Sequence, residues 1–186
     1  VYRGEVPGSG VWVYRDVLKP SLKIIERLES VVDSADNDYN WREAMVGYQM
    51  KMPDYRDCVD FKYKKSDIEQ DESPAGEALK SLADDVTFRE LQVVKDYTRR
   101  FHIGELRYWE ATNYVKYGPG QHFQEHHAHG YSYNCVVSMV GVLNDDYEGG
   151  ELSFRLQNLQ LTANAGVVTI FHSNEMYSQQ AFSVSS

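Results

Sequence analysis

The chain has 186 residues, 42% of them apolar and 13% aromatic, a composition that suits one globular domain and not a disordered segment. Nineteen basic against 28 acidic residues leave a net charge of −9, the opposite of the basic footprint that a nucleic-acid backbone requires. Cys58 and Cys135 are too few for a disulfide framework, no run approaches the roughly 20 apolar residues of a membrane span, and no leader pattern is visible. We therefore expect reduced thiols, a cytoplasmic location, and neither nucleic acid nor membrane as a partner.

In chain order, Val11, Val13 and Val17 predict an opening strand. Leu18, Leu22, Ile25, Leu28 and Val32 recur at helical spacing, with Pro20 near the start, and predict a helix of three or four turns ended by the polar run 33–40. Trp41, Val46 and Tyr48 predict a strand, and 53–71 a long loop. Ser73-Pro74 is a helix-start pair and Thr87-x-x-Glu90 a capping-box pattern, so helices are expected at 74–83 and 88–102. From residue 105 the character changes. Segments 105–117, 133–143, 151–154, 159–162 and 166–171 are short, β-rich and separated by Gly, Asn or Asp. Helices followed by a run of strands predict an α+β chain whose strands form a sandwich or barrel. The chain lacks an initial Met and stops at Ser186 inside a predicted strand, as a truncated piece of a longer protein would.

Five of the six histidines fall at 122, 126, 127, 129 and 172. Imidazole is the commonest metal ligand, and clustering in a β-rich region points to a metal site. In an extended segment His127 and His129 share one face and His126 the other. The segment 145–150, Asp-Asp-Tyr-Glu-Gly-Gly, reads by itself as a hairpin turn.

Order and spacing together carry a resemblance. Tyr117-Gly-Pro-Gly-Gln-His-Phe-Gln-Glu-His126 is followed by Leu143-Asn144, by Glu148-Gly-Gly-Glu-Leu-Ser-Phe154, and by the strand from Gly166 to Phe171 with Ser173 beyond it. This series resembles the prolyl 4-hydroxylase-like members of the Fe(II)/2-oxoglutarate-dependent dioxygenases. The match is strong over 105–186 and looser before. It implies a double-stranded β-helix (jelly-roll) barrel: one domain over 1–186, with helical support over 1–104 and the β-helix core over 105–186. It also implies Fe(II) and 2-oxoglutarate as cofactors, ascorbate as an allowed accessory, and hydroxylation of a prolyl or other aliphatic C–H in a small-molecule or peptidyl substrate. That substrate would lie over the barrel mouth, bordered by 53–71 and the turn at 129–133.

By the same resemblance His126 is the first metal ligand. Tyr117 and Ser138 match positions that face 2-oxoglutarate. Two ligand positions depart from the pattern. Ala128 stands where the carboxylate ligand belongs, and Gln179, five residues before Val184, stands where the distal histidine belongs. Val142 and Ser183 replace a usual Tyr and Pro. Three readings stay open: an engineered ligand knockout of a working oxygenase, a halogenase-type variant with a halide in the carboxylate's place, or a non-catalytic binding module on the same fold. Halogenase-type relatives keep both histidines, which counts against the second. A metal site rebuilt from His127, His129 or His172 is a further alternative.

Overall fold

The computed structural model describes residues 3–5, 9–44, 56–104, 106, 109, 112–126, 136–162, 164–173, 179–182 and 184–185. The elements are β1 (Arg3–Glu5), β2 (Trp12–Tyr14), a 3-10 turn (Pro20–Leu22), α1 (Ile24–Glu29), β3 (Arg42–Glu43), β4 (Arg56–Asp57), β5 (Val59–Tyr63), α2 (Lys65–Ile68) and α3 (Pro74–Arg100). After α3 come β6 (Thr112–Lys116), β7 (His122–His126), β8 (Val137–Gly141), β9 (Glu148–Gly149), β10 (Leu152–Phe154), β11 (Leu159–Leu161), β12 (Val168–His172), β13 (Gln179–Ala181) and β14 (Val184–Ser185).

Among the described residues the strands form four antiparallel sheets, ordered β1-β2-β12-β8, β11-β10-β13-β7-β4, β3-β5-β6 and β14-β9. Among the described residues these pairings do not close a barrel. Strands from the first 104 residues enter three of the sheets. β2 lies along β12, with Trp12 opposite Ile170 and Tyr14 opposite Val168. β4 pairs with β7.

Three expectations from the sequence give way. The first predicted helix is broken: Lys23 takes a left-handed conformation (φ 52°) between the 3-10 turn and the six-residue α1. Its buried positions are Ile24 and Leu28, and Ile25 is only half-buried. The predicted loop at 53–71 contains β4, β5 and α2, because Phe61 and Tyr63 alternate inward toward the core. The two predicted helices are one, the 27-residue α3. Leu79, Leu82, Ala83, Val86, Val93, Val94 and Tyr97 are buried along it at helical spacing, so the stripe runs through Thr87 without a break. The start at Ser73-Pro74 stands as expected: the Ser73 hydroxyl accepts from the Gly76 amide at 3.1 Å.

The main core packs α3 against α1, α2 and the inner faces of β2, β5, β6 and β12. Polar anchors fix the end of α3. The Tyr97 hydroxyl donates to the Gly10 carbonyl at 2.9 Å, and the Tyr14 hydroxyl donates to Asp96 at 2.6 Å. A second, smaller core of Val11, Phe154 and Phe171, flanked by Val140, Leu152, Leu159 and Leu161, joins the two larger sheets. Among the described residues no helix is long and apolar enough to cross a membrane.

Candidate functional site

β7 and β13 are neighbours, and their register places Gln179 directly opposite His126. Gln179 in turn lies opposite Phe154 on β10, and Phe154 opposite Leu159 on β11. One cross-strand row therefore reads His126, Gln179, Phe154, Leu159. The register slips between Gln179 and Ala181, which pairs with Phe123, so β7 carries one extra residue before His126. Such bulges bend a strand and re-aim the side chains beyond them.

Phe154 meets the other large sheet. Its ring packs edge-on against Phe171 at 4.8 Å between centroids, and both side chains are fully buried. Phe171 lies opposite Ser138 on β8. Directly paired residues and those two apart share a face, so Ser138, Phe171 and Ser173 look toward the opposing sheet. The Ser138 and Ser173 hydroxyls share a short hydrogen bond, and the Ser173 amide donates to the Val136 carbonyl at 3.0 Å. Ser173 is buried and Ser138 half-buried. The row bearing His126 and Gln179 thus connects through two phenylalanines to the face bearing Ser138.

Tyr117 lies just past β6 in the turn that leads to β7, half-buried. That turn is closed by the Gln121 amide donating to the Gly118 carbonyl at 3.0 Å, with Gly120 at φ 80°. Ala128, His127, His129, Cys135 and the predicted turn at 129–133 lie outside the described residues, as do the side chains of His126 and Gln179. His172 is one residue past Phe171 and faces the other way, packed against Tyr97 at 5.5 Å and Phe101 at 5.4 Å on α3. Burial lowers its pKa. This takes His172 away from the row and makes it a packing residue, contrary to its candidacy for a rebuilt metal site.

Among the described residues the segment 145–150 does not form the expected hairpin: its strand β9 pairs with the distant β14, and the Asp145 carboxylate accepts from the Ala165 amide at 3.0 Å. Burial and then the neighbouring Asp145, Asp146 and Glu151 raise the Tyr147 phenol. The sequence reading missed Ser173 as the partner of Ser138 and Phe154 as the link between sheets. The motif Glu-x-x-Phe and the spacing Phe-x-Ser were their available signals.

Non-haem Fe(II) sites of this type take two imidazoles and one carboxylate on one face. The positions here offer an imidazole at 126, a methyl group at 128 and an amide at 179. The β7–β13 register puts the amide position beside the imidazole position, where a second imidazole is needed. Among the described residues no group of three His, Cys, Asp or Glu could hold a metal. These residues do not fit an Fe(II) centre.

No protein-family model matches the chain, and no curated protein matches it significantly. Solved structures do. The viral collagen prolyl hydroxylase of Paramecium Bursaria Chlorella virus-1, solved as a 2OG complex, superposes with a TM-score of 0.65 at 12% identity, covering 98% of this chain and 93% of that one. A Trichoplax adhaerens prolyl hydroxylase, in complex with a hypoxia inducible factor peptide fragment, gives 0.70 at 12% identity over 95% and 79%. A Pseudomonas putida prolyl-4-hydroxylase gives 0.54 at 15% identity over 94% and 86%. The chain has the prolyl hydroxylase-like fold of the 2-oxoglutarate oxygenases.

Proposed function

We propose that this chain is an Fe(II)/2-oxoglutarate oxygenase scaffold for a substrate carrying a prolyl or other aliphatic C–H, with its metal centre altered at two of three ligand positions. In this reading residues 1–186 are one domain, and the two larger sheets are the walls of a jelly roll. The observation that carries it is the row His126, Gln179, Phe154. Two positions 53 residues apart in sequence, singled out by the motif series alone, are direct cross-strand partners. The 2OG of the viral complex and the peptide of the Trichoplax complex support 2-oxoglutarate and a peptidyl substrate as ligand classes.

The residues divide the work between binding and shielding. Tyr117 and the Ser138–Ser173 pair offer hydroxyls for a carboxylate between the sheets, and Phe154 and Phe171 exclude water behind it. Gln179 supplies an amide where chemistry at iron would need an imidazole. Bound iron would supply oxygen activation, and the positions 126, 128 and 179 as they stand do not hold it. That amide also supports a second reading: a binding module that takes 2-oxoglutarate-like or peptidyl ligands without turnover, since fold and activity are separable.

Succinate formation from 2-oxoglutarate with added Fe(II) tests both. The chain as it stands should give background rates, and the Ala128→Asp/Gln179→His double variant at least about tenfold more, the scale on which metal-site residues act. A double variant that neither binds iron nor consumes 2-oxoglutarate overturns the oxygenase reading. Similar turnover by the unaltered chain overturns the role given to Ala128 and Gln179. Calorimetric binding of 2-oxoglutarate without succinate separates the binding module from both.

A further inference from the structure

β12 is the wall between the two cores. Val168 and Ile170 belong to the main core with α3, and Phe171 to the smaller core between the larger sheets. By alternation His172 continues the α3 side and Ser173 the Phe171 side. His172 lies opposite Val137 on β8, which also packs on the main core. Its imidazole meets the Tyr97 ring at 5.5 Å and, nearly perpendicular, the Phe101 ring at 5.4 Å.

Those two rings are a fixed seat. Tyr97 is fully buried, its ring stands 4.6 Å from that of Phe101, and its hydroxyl donates to the Gly10 carbonyl at 2.9 Å. Phe101 in turn packs edge to face with Trp12 at 6.2 Å. Ser173 lies one residue past the end of β12, its amide donating to the Val136 carbonyl at 3.0 Å and its hydroxyl meeting that of Ser138. Interiors are close-packed, so the size of the side chain at 172 sets how far the end of β12 stands from α3. We infer that His172 is a positioning residue: wedged against Tyr97 and Phe101 behind β12, it sets where Ser173 presents its hydroxyl to Ser138, and through that the grip of the pair on a ligand carboxylate. The grip on a carboxylate rests on the role proposed above for the pair; the wedge does not. Without the ring, the strand end settles toward α3 and draws Ser173 from Ser138, and a hydroxyl contact fades within about 1 Å of added separation.

Amide hydrogen exchange read by NMR tests the wedge without any ligand. In His172→Ala the Ser173 amide should lose protection about tenfold or more relative to the Val168 and Ile170 amides earlier in the strand. His172→Phe, which refills the gap with a ring, should restore it. A ring that only added stability would shift all three amides together. Equal loss at all three, no loss at Ser173, or no restoration by His172→Phe overturns the inference. Should His172→Ala fail to fold, His172→Val keeps a strand-forming side chain without a ring, and the same comparison decides. Calorimetric titration with 2-oxoglutarate reads the effect on the ligand. His172→Ala should weaken its Kd about tenfold, the scale of one hydrogen bond to a charged group, and His172→Phe should bring it back to within about twofold. Unchanged affinity beside a selective loss at Ser173 overturns the link from wedge to ligand. If the unaltered chain binds no 2-oxoglutarate, the carboxylate role of the pair falls, and exchange still decides the wedge.

Discussion

Asp96 shows how a single residue outlasts its burial. Desolvation works against its charge, but hydrogen bonds from Tyr14 and Arg100, and then Arg99, outweigh it and hold the carboxyl at about 2. Arg100 donates at 2.7 Å and also lies 4.3 Å over the Trp12 ring, so one guanidinium serves both the carboxylate and the aromatic face. Charge-assisted bonds of this kind are worth about 1.5–3 kcal/mol. Asp96→Asn should therefore lower unfolding free energy by about 2 kcal/mol at neutral pH, measured by urea titration. Because the folded pKa is depressed, this contribution is present above the unfolded value of 3.8 and disappears as pH falls toward about 2. The wild type and the Asn variant should converge in stability over that window. The role of Asp96 was not legible in the sequence, where it is one acidic residue on a charged helix; it arises from the groups that face it, Tyr14 and two arginines.

At the scale of elements, α3 was legible at its start and misread in its middle. Ser73-Pro74 has a local cause, a hydroxyl accepting from an amide three residues on. Thr87-x-x-Glu90 has the letters of a capping box, but Val86 and Val93 keep the stripe buried on both sides, and tertiary packing decides. Gly76 in the first turn has a similar hidden constraint. An added Cβ there would overlap the backbone carbonyl and the carboxyl of Asp71, which is fixed by accepting from the Ser73 amide at 2.9 Å and from the Tyr39 hydroxyl. Glycine-to-alanine changes inside helices ordinarily stabilise by up to about 1 kcal/mol. Here the sign reverses: Gly76→Ala should destabilise by about 1–3 kcal/mol, the cost of overpacking, and lower the melting temperature. The segment 53–71 was opaque for a different reason. Its strand and short helix are too brief and too charged to show a period, and only pairing with β3 and β6 defines β5.

At the scale of the molecule, the two larger sheets meet, among the described residues, in one small apolar cluster. Phe154 and Phe171 bridge them, so Phe171→Ala should cost about 3–5 kcal/mol by equilibrium unfolding. It should also weaken any carboxylate binding at Ser138, which is Phe171's direct partner. The motif series located the strands bearing His126, Ser138 and Gln179 because each block couples a turn residue to an apolar alternation. It did not reveal which strands are neighbours, since that is set by residues far apart, such as Phe154 and His126 flanking Gln179. Nor did it show that the earliest strands belong to the same sheets as the last ones.

Those earliest strands also cover an edge of the sheet. The side of β12 away from β8 is occupied by β2, a strand contributed by residues 12–14. An uncovered strand of Val, Thr, Ile and Phe presents a row of amides and carbonyls that another copy can extend. The N-terminal ribbon is thus a guard rail: deleting residues 1–16 should make the chain self-associate more than the intact one, visible as growing early-eluting species in size-exclusion chromatography.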